Sequence, residues 1–392
     1  MDLKEIISLN IRLLISYTLI ICFSANIYFV IPFFQHDIGI MQGPEPIRVV
    51  FVNDSSQFIF PFERIYSFDS HDSFEKQINN VQDGKEGLQY YNFSDYNYSL
   101  FRVNDTFVGS AGNMIKNGVL YTTSSFYNGH AESISMGFTW LGIKERVLML
   151  SHVGTPIFGH FFMDFLSPLM LIPKEYYQDC VFPFVVNLRF YMKSCFRLFS
   201  IPEKNILIYS QQEFIYYRTV FFLNPYPHYF VCNRAYFVLS QRLREYLKLP
   251  NTPPTKYLFS SRKRESRGIS NIDEIVQNIA MLYPSIDIQK VPFYRSFQKN
   301  ACVFNNAKLF FCGFHGSGFA NLFFMRNGTT FIEIQTFENF RSALNICSSL
   351  GVNYFYSTMS HIMHFNKSNH YVPQSVYLPL LTKAINFSMQ SK

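Results

Sequence analysis

Residues 307–335 read AKLFFCGFHGSGFANLFFMRNGTTFIEIQ, and the reading of this stretch decides the fold. Ala307–Cys312 is short, apolar and aromatic and runs into Gly313, which predicts a buried strand. Gly313, Gly316 and Gly318 then predict a turn that needs either positive φ or a close backbone approach. Phe319–Arg326 can wind as a helix, stopped by Asn327-Gly328. Thr329–Ile334 is β-branched and apolar, a second buried strand. A loop that leaves a strand and enters a helix aims backbone N–H groups and the positive helix end at one point. Such a point suits a phosphate or diphosphate, and His315 and Ser317 would add donors.

Outward from this stretch the pattern keeps alternating. Lys256–Ser260 and Ile286–Val291 read as strands, with Asn271 capping a helix that runs to Leu282. Phe297–Asn306 and Arg341–Leu350 read as helices, Asn353–Tyr356 as a strand, and Tyr371–Phe387 as a terminal helix interrupted by Pro373 and Pro379. On the N-terminal side Pro250-Asn251-Thr252-Pro253-Pro254 breaks the pattern and marks a domain boundary. Before it come a strand at Arg146–Leu150, a helix over His160–Ile172, a strand at Val181–Asn187 and a helix at Tyr191–Phe199. Strands at Ile206–Tyr209 and Thr219–Leu223 and a helix at Arg234–Leu247 come next. Alternating β and α units imply parallel sheets covered on both faces, with a ligand cleft at the carboxyl ends of the strands. Residues 53–135 are rich in Asn, Asp, Ser, Tyr and Gly and predict an irregular, β-rich lobe.

Composition narrows the class. The chain has 392 residues, 18% of them aromatic, so core-building material is ample for two domains. Its net charge of +7 is spread without a long Lys/Arg block, which argues against nucleic acid as a partner. Leu13–Phe34 carries no charged residue, is about as long as a bilayer-spanning helix, and is preceded by Lys4 and Arg12. It predicts an uncleaved signal anchor, with a cleaved signal peptide ending near Ser24-Ala25-Asn26 or a buried helix as alternatives. Asn53, Asn92, Asn97, Asn104, Asn366 and Asn386 head glycosylation triplets, as does Asn327, which sits in the predicted turn. Beyond Cys22 of the span, Cys180, Cys195, Cys232, Cys302, Cys312 and Cys347 show no CxxC rhythm, so one or two disulfides at most are expected among otherwise buried thiols.

Three clusters carry chemistry. Arg262, Arg264 and Arg267 follow a strand end, where guanidinium groups suit a diphosphate, although charge runs are commonly just solvated. The glycine loop with Glu333 beyond it is the second; a carboxylate at a strand end can take ribose hydroxyls, or be only an edge residue. It matches neither a dinucleotide fingerprint, because Asn321 stands in place of the third glycine, nor a nucleophile elbow. In Gly159–Asp164, GHFFMD, His160 and Asp164 share one helix face four residues apart. They form a general-base pair or a structural cap. His361 and His364 have metal-like spacing without a third ligand. No Asp-x-Asp occurs, so the carboxylates that clamp a metal–diphosphate are missing.

Taken in order, GHFFMDF, YLFSSRKRESRGISNIDE, SFQKNACVFNNAKLFFCGFHGSGFAN and NGTTFIEI resemble glycosyltransferase family 61 over roughly residues 145–360. That family includes extracellular O-GlcNAc transferases, protein O-mannose GlcNAc transferases and plant xylan xylosyl- and arabinosyltransferases. The chain departs from the family pattern at Ser317 (for Ala), Ile272 (for the Glu after Asn271) and Arg326-Asn327 (for Pro). The resemblance implies an α/β, GT-B-like pair of Rossmann-like domains behind the N-terminal transmembrane helix. The expected division is a cytoplasmic tail at 1–12, an anchor at 13–34, and a stem and lobe at 35–140. An acceptor-side domain comes next at 141–252 and a nucleotide-sugar-binding domain, ending in a helix, at 253–392. It implies inverting transfer from a UDP-sugar, GlcNAc or xylose foremost, to a glycoprotein or glycan in the Golgi or endoplasmic reticulum, with no divalent metal cofactor. Carried over, Arg262, Arg267, Asn271, His315, Gly316, Ser317, Gly318 and Asn321 would hold the diphosphate, Glu333 the ribose, and His160 with Asp164 would deprotonate the acceptor. A degenerate transferase that only binds glycans, or an adhesive surface protein, are the alternatives.

Overall fold

Strand β15, Thr330–Gln335, is buried along its whole length, and that burial sets the architecture of the C-terminal half. A strand apolar on both sides must be covered on both faces. The computed structural model describes residues 48–51, 61–67, 78–82, 85–89, 99–122, 139–152, 154–185, 189–223, 233–261, 268–292, 296–313, 316–335, 342–359 and 370–390. The expected anchor at 13–34 lies outside them; among the described residues no helix is long and apolar enough to cross a membrane.

The C-terminal sheet is wholly parallel. Its order is β13 (Asp287–Val291), β12 (Lys256–Ser260), β14 (Ala307–Gly313), β15 and β16 (Asn353–Thr358). One face presents Tyr257, Phe259, Leu309, Phe311, Ile332 and Ile334 to two helices, Ile272–Leu282 and Gln374–Gln390. The first of these buries Ile272, Ile275 and Ile279, the spacing of one helical face. The other face, with Leu258, Phe310, Phe331 and Tyr354, opens into a larger core shared with the N-terminal half. In chain order this sheet runs 2-1-3-4-5, a doubly wound order whose reversal falls between β12 and β14.

The N-terminal half is mixed rather than purely parallel. Its sheet has the order β1 (Arg48–Phe51), β7 (Val119–Thr122), β6 (Asn113–Lys116), β5 (Ser99–Gly109), β11 (Glu213–Leu223), β8 (Thr139–Met149). Strand β2 (Glu63–Ser67) adds antiparallel to β5, and β3 (Ile78–Gln82) and β4 (Lys85–Gln89) pair as a separate hairpin. Strand β11 pairs antiparallel with β5 and parallel with β8. A bridge at Val147 and Val181 carries the parallel run on to β9 (Phe182–Phe184) and β10 (Ile206–Ile208). The lobe expected upstream of residue 140 therefore shares a sheet with β11 from the next expected domain, and β8 itself runs across that position. Hairpins of β-branched and aromatic residues pair locally, and nothing in their composition announces that β11 will join them.

Two helices bind the halves together. Helical residues between β8 and β9 run from Phe158 to Leu169 in three contiguous pieces: α1 (Phe158–His160), a π-helical segment (Phe161–Leu166) and α2 (Ser167–Leu169). Phe162 on this run meets Phe297, Phe323 and Phe324 of the C-terminal half with ring centroids 5.9, 6.0 and 6.1 Å away. The helix Asn233–Tyr246 adds Tyr236 against Phe323, while Ser240 Oγ and Arg244 Nη1 donate to the carbonyls of Phe323 (2.7 Å) and Phe324 (3.0 Å). The proline-rich boundary at 250–254 is pinned as well: Asn305 Nδ2 donates to Pro250 O at 2.9 Å, and the Arg326 guanidinium to Asn251 Oδ1 and Thr252 O.

Two local expectations are corrected. The helix expected over Phe319–Arg326 is instead an α-turn at Gly316–Phe319 followed by a 3₁₀ segment at Ala320–Phe324. The terminal helix is not interrupted at Pro379 but runs through it, because its buried face (Tyr377, Leu380, Leu381, Ala384, Ile385) holds the turn that lacks one N–H donor. Among the described residues, cysteines 180, 195, 302, 312 and 347 are thiols, four of them buried, in keeping with the expectation of one or two bridges at most.

Phe162 is fully buried at the junction, so Phe162→Ala should cost about 3–5 kcal/mol of unfolding free energy in urea titration. A loss below about 1 kcal/mol would show that the halves do not depend on this contact.

Candidate active site

The carboxyl end of β8 delivers the chain into a tight turn. Thr155, fully buried, clamps His152 from both sides: its N–H donates to His152 O (2.9 Å) and its Oγ1 accepts from His152 N (2.8 Å). Tyr191 OH donates to Pro156 O, and burial pushes that phenol up to about 12, so it remains a donor. The helical run then begins at Phe158, and its apolar face (Phe158, Phe161, Phe162, Phe165) is buried. Its middle is π-helical: Ser167 N–H and Ser167 Oγ both donate to Phe162 O, and Pro168 has no N–H to restore the α register.

His160 and Asp164 are brought inside by this run, both buried. His160 Nδ1 lies 2.8 Å from Asp164 Oδ2, so the predicted pair forms. A third residue joins them that the sequence reading did not single out. His152 Nε2 lies 3.1 Å from the same Asp164 Oδ2, and the two imidazole rings stand perpendicular with centroids 5.7 Å apart. The available sequence signal was position alone: a histidine just after the carboxyl end of a strand, where α/β folds put their sites.

Three donor atoms of His152, His160 and Asp164 fall within 4.8 Å of one another, and the chemistry of the set decides whether a cation would suit it. His152 Nδ1 accepts from Gly154 N–H at 3.0 Å. A metal-bound imidazole carries its proton on the other nitrogen and donates it outward. At His152 that nitrogen faces a donor, an arrangement that suits hydrogen bonding among the three side chains. His361 and His364 lie outside the described residues.

Across from the triad, α1 packs directly against the α-turn Gly316–Phe319. Gly318 sits in that turn because a side chain there would stand 3.3 Å from Cys312 Sγ. The close approach is therefore realised at Gly318, within helical backbone; Gly328, at φ +82°, is the glycine that needs positive φ. Asn321 is buried in the 3₁₀ segment and its Oδ1 accepts from Asn300 Nδ2 at 2.5 Å. The backbone of Gly316 and Ser317 is described, whereas Arg262, Arg267 and His315 lie outside the described residues. In sequence, the arginine segment comes after β12 and His315 after β14, the two strands between which the sheet order reverses.

Two expected contacts are placed differently. Asn271 does not cap its helix with its side chain: Nδ2 donates to Val372 O (2.9 Å) and Oδ1 accepts from Val372 N (3.0 Å). It fastens the segment ahead of the last helix. Glu333 is not at the end of its strand but two residues short of it, and wholly buried. Tyr354 OH donates to Glu333 Oε2 at 2.5 Å, and Gln335 Nε2 reaches the same oxygen at 3.3 Å. It has no surface left for a ribose; its Oε2 ties β15 to β16. Of the glycosylation triplets, Asn104 and Asn386 are exposed, while Asn53, Asn92, Asn97 and Asn366 lie outside the described residues.

Residues 158–332, a span that includes the buried pair, the glycine turn and the central strands, match the family model described as Glycosyltransferase 61. That region belongs to glycosyltransferase family 61, and the chain is a glycosyltransferase. No curated protein matches the chain.

Burial raises the Glu333 carboxyl from its ordinary 4.5 to about 7. Between those values the folded chain keeps a proton that the unfolded chain has released, so stability falls as pH rises, and the loss is complete above about 7. The displacement corresponds to on the order of 3 kcal/mol. In thermal unfolding, Glu333→Gln should gain on the parent as pH rises from about 5 to about 8. A gap that stays constant with pH would show that Glu333 does not titrate in the folded chain.

Proposed function

We propose that the chain is an inverting, metal-independent transferase that moves a sugar from a UDP-sugar to a hydroxyl of a protein or glycan, with GlcNAc or xylose the leading sugars. The observation that carries this reading is the direct packing of the helical turn bearing His160 against the glycine turn Gly316–Phe319. Two motifs more than a hundred residues apart in sequence thereby face one another, one after the carboxyl end of β8 and the other after that of β14, where α/β folds take ligands.

With Asp164 on its Nδ1, His160 would take the proton from the acceptor hydroxyl on Nε2. The acceptor oxygen attacks the anomeric carbon from the face opposite the nucleotide, the bond to the diphosphate oxygen breaks, and configuration inverts. Asp164 stabilises the imidazolium that results. The departing UDP carries the negative charge, which Arg262, Arg267, His315 and the amides of the glycine turn offset. Arg262 and Arg267 supply the positive charge that a divalent ion would otherwise bring. We place the nucleotide on the C-terminal domain and the acceptor on the N-terminal one, in a GT-B-like arrangement. Residues 13–34 would anchor the chain in the Golgi or endoplasmic reticulum membrane as a single-pass type II protein, its folded part lumenal.

Calorimetric titration of UDP should give binding that weakens about ten-fold or more in Arg262→Ala and in His315→Ala. Binding that is absent, or indifferent to both changes, would sink the nucleotide assignment. His160→Ala should leave UDP affinity unchanged and lower UDP release from the working donor by about 10²–10⁴-fold. Turnover should survive chelation of divalent ions by EDTA, and loss that zinc or manganese restores would overturn the metal-free reading.

A further inference from the structure

Asp164 is a buried carboxylate, and a buried carboxylate is costly unless its oxygens are held by donors. The helix that carries it supplies one such donor, His160 Nδ1. Another comes from outside the helix, from His152 in the turn after β8. Both nitrogens point at the same oxygen, Oδ2, at 2.8 and 3.1 Å.

The protonation pattern is set by the partners. His152 Nδ1 accepts from Gly154 N–H, which only a ring with a lone pair on Nδ1 can do. The proton of the neutral ring is therefore on Nε2, and Nε2–H donates to Asp164. His152 thus reaches Asp164 through its Nε2 while its Nδ1 is taken by the Gly154 amide. Asp164 Oδ2 also meets His160 Nδ1, and that bond orients the His160 ring.

The backbone around His152 is built to hold this geometry. Thr155 bonds both the N–H and the C=O of His152, and the Gly154 amide bonds the ring itself. With the bond to Asp164, both ring nitrogens and both backbone groups of His152 are engaged. The perpendicular contact between the two rings leaves the carboxylate bonded to both edges.

We infer that His152 is the positioning residue of a His152–Asp164–His160 triad: it holds the Asp164 carboxylate so that His160 presents Nε2, not Nδ1, to the acceptor. This rests on the reading of His160 as the general base. His152 touches neither substrate nor diphosphate in this scheme and acts through Asp164 alone.

The test uses the full chain, with UDP released from UDP-GlcNAc and UDP-xylose as the readout of turnover and calorimetric UDP binding as the readout of an intact site. His152→Phe keeps a planar aromatic ring and removes the donor. It should bind UDP as the parent does, keep the donor KM, and lose about ten-fold or more in kcat, short of the loss in His160→Ala. His152→Gln places an amide N–H near the position of Nε2 and should recover most of that loss. Full turnover in His152→Phe with turnover lost in His160→Ala overturns the positioning role alone. Turnover retained in both overturns the base assignment and the triad with it. A KM change with unaltered kcat, or no recovery in His152→Gln, also overturns it, because either points to packing and not to the donated hydrogen bond. If His152→Phe fails to fold, ¹⁵N-imidazole spectra of the unmutated protein decide. His152 must show Nε2–H with an unprotonated Nδ1, and His160 must show Nδ1–H; a protonated Nδ1 on His152 rules the arrangement out.

Discussion

The constraint on which the rest of the structure depends is the burial of one amphipathic mismatch, an apolar helical run with a carboxylate in its middle. Phe158, Phe161, Phe162 and Phe165 need a dry environment, and they find it between the two halves of the chain. Asp164 travels with them. Once inside, it cannot remain uncompensated. Two imidazoles from different local elements converge on it, and the same packing that forces this convergence presses the start of the run against the glycine turn. Packing and chemistry are thus one arrangement: the Phe162 contacts that hold the halves together also set where His160 stands.

Two carboxylates buried among the described residues, Asp164 and Glu333, show how environment separates roles. Asp164 has imidazole partners, one on its own helical run and one in the turn after β8. Glu333 is enclosed by Tyr354 and Gln335 within the sheet, and burial drives it toward its neutral form. The first is held by two imidazoles from different elements. The second is a tie between β15 and β16. Both are acidic residues in apolar stretches, and only their surroundings distinguish them.

Much of the C-terminal half was legible before any coordinates. Lys256–Ser260, Ile272–Leu282 and Phe297–Asn305 form almost as their periodicity predicts, because strands buried on both faces and helices buried on one leave strong patterns. The N-terminal half was less legible. Strand β11 begins at Glu213, well ahead of the apolar Thr219–Leu223 segment that marks it in sequence, because pairing with β5 and β8 extends it through residues of no special pattern. The short helix expected after the glycine turn became a 3₁₀ segment, since Asn321 and Phe323 are held by Asn300, Tyr236 and Ser240 from elsewhere in the chain.

By itself the sequence determined the alternation of strands and helices, the glycine turn after a buried strand, and the pairing of His160 with Asp164, because each depends on residues a few positions apart. Family membership is also carried by the order of such local motifs. Tertiary structure decided the rest. It placed Glu333 inside the sheet rather than at its rim, gave the side chain of Asn271 to Val372 instead of the helix end, and set His152 beside Asp164. The physical reason is common to all three. A polar side chain in a core takes whichever partner the packing of distant elements brings within about 3 Å, and no local spacing encodes that choice.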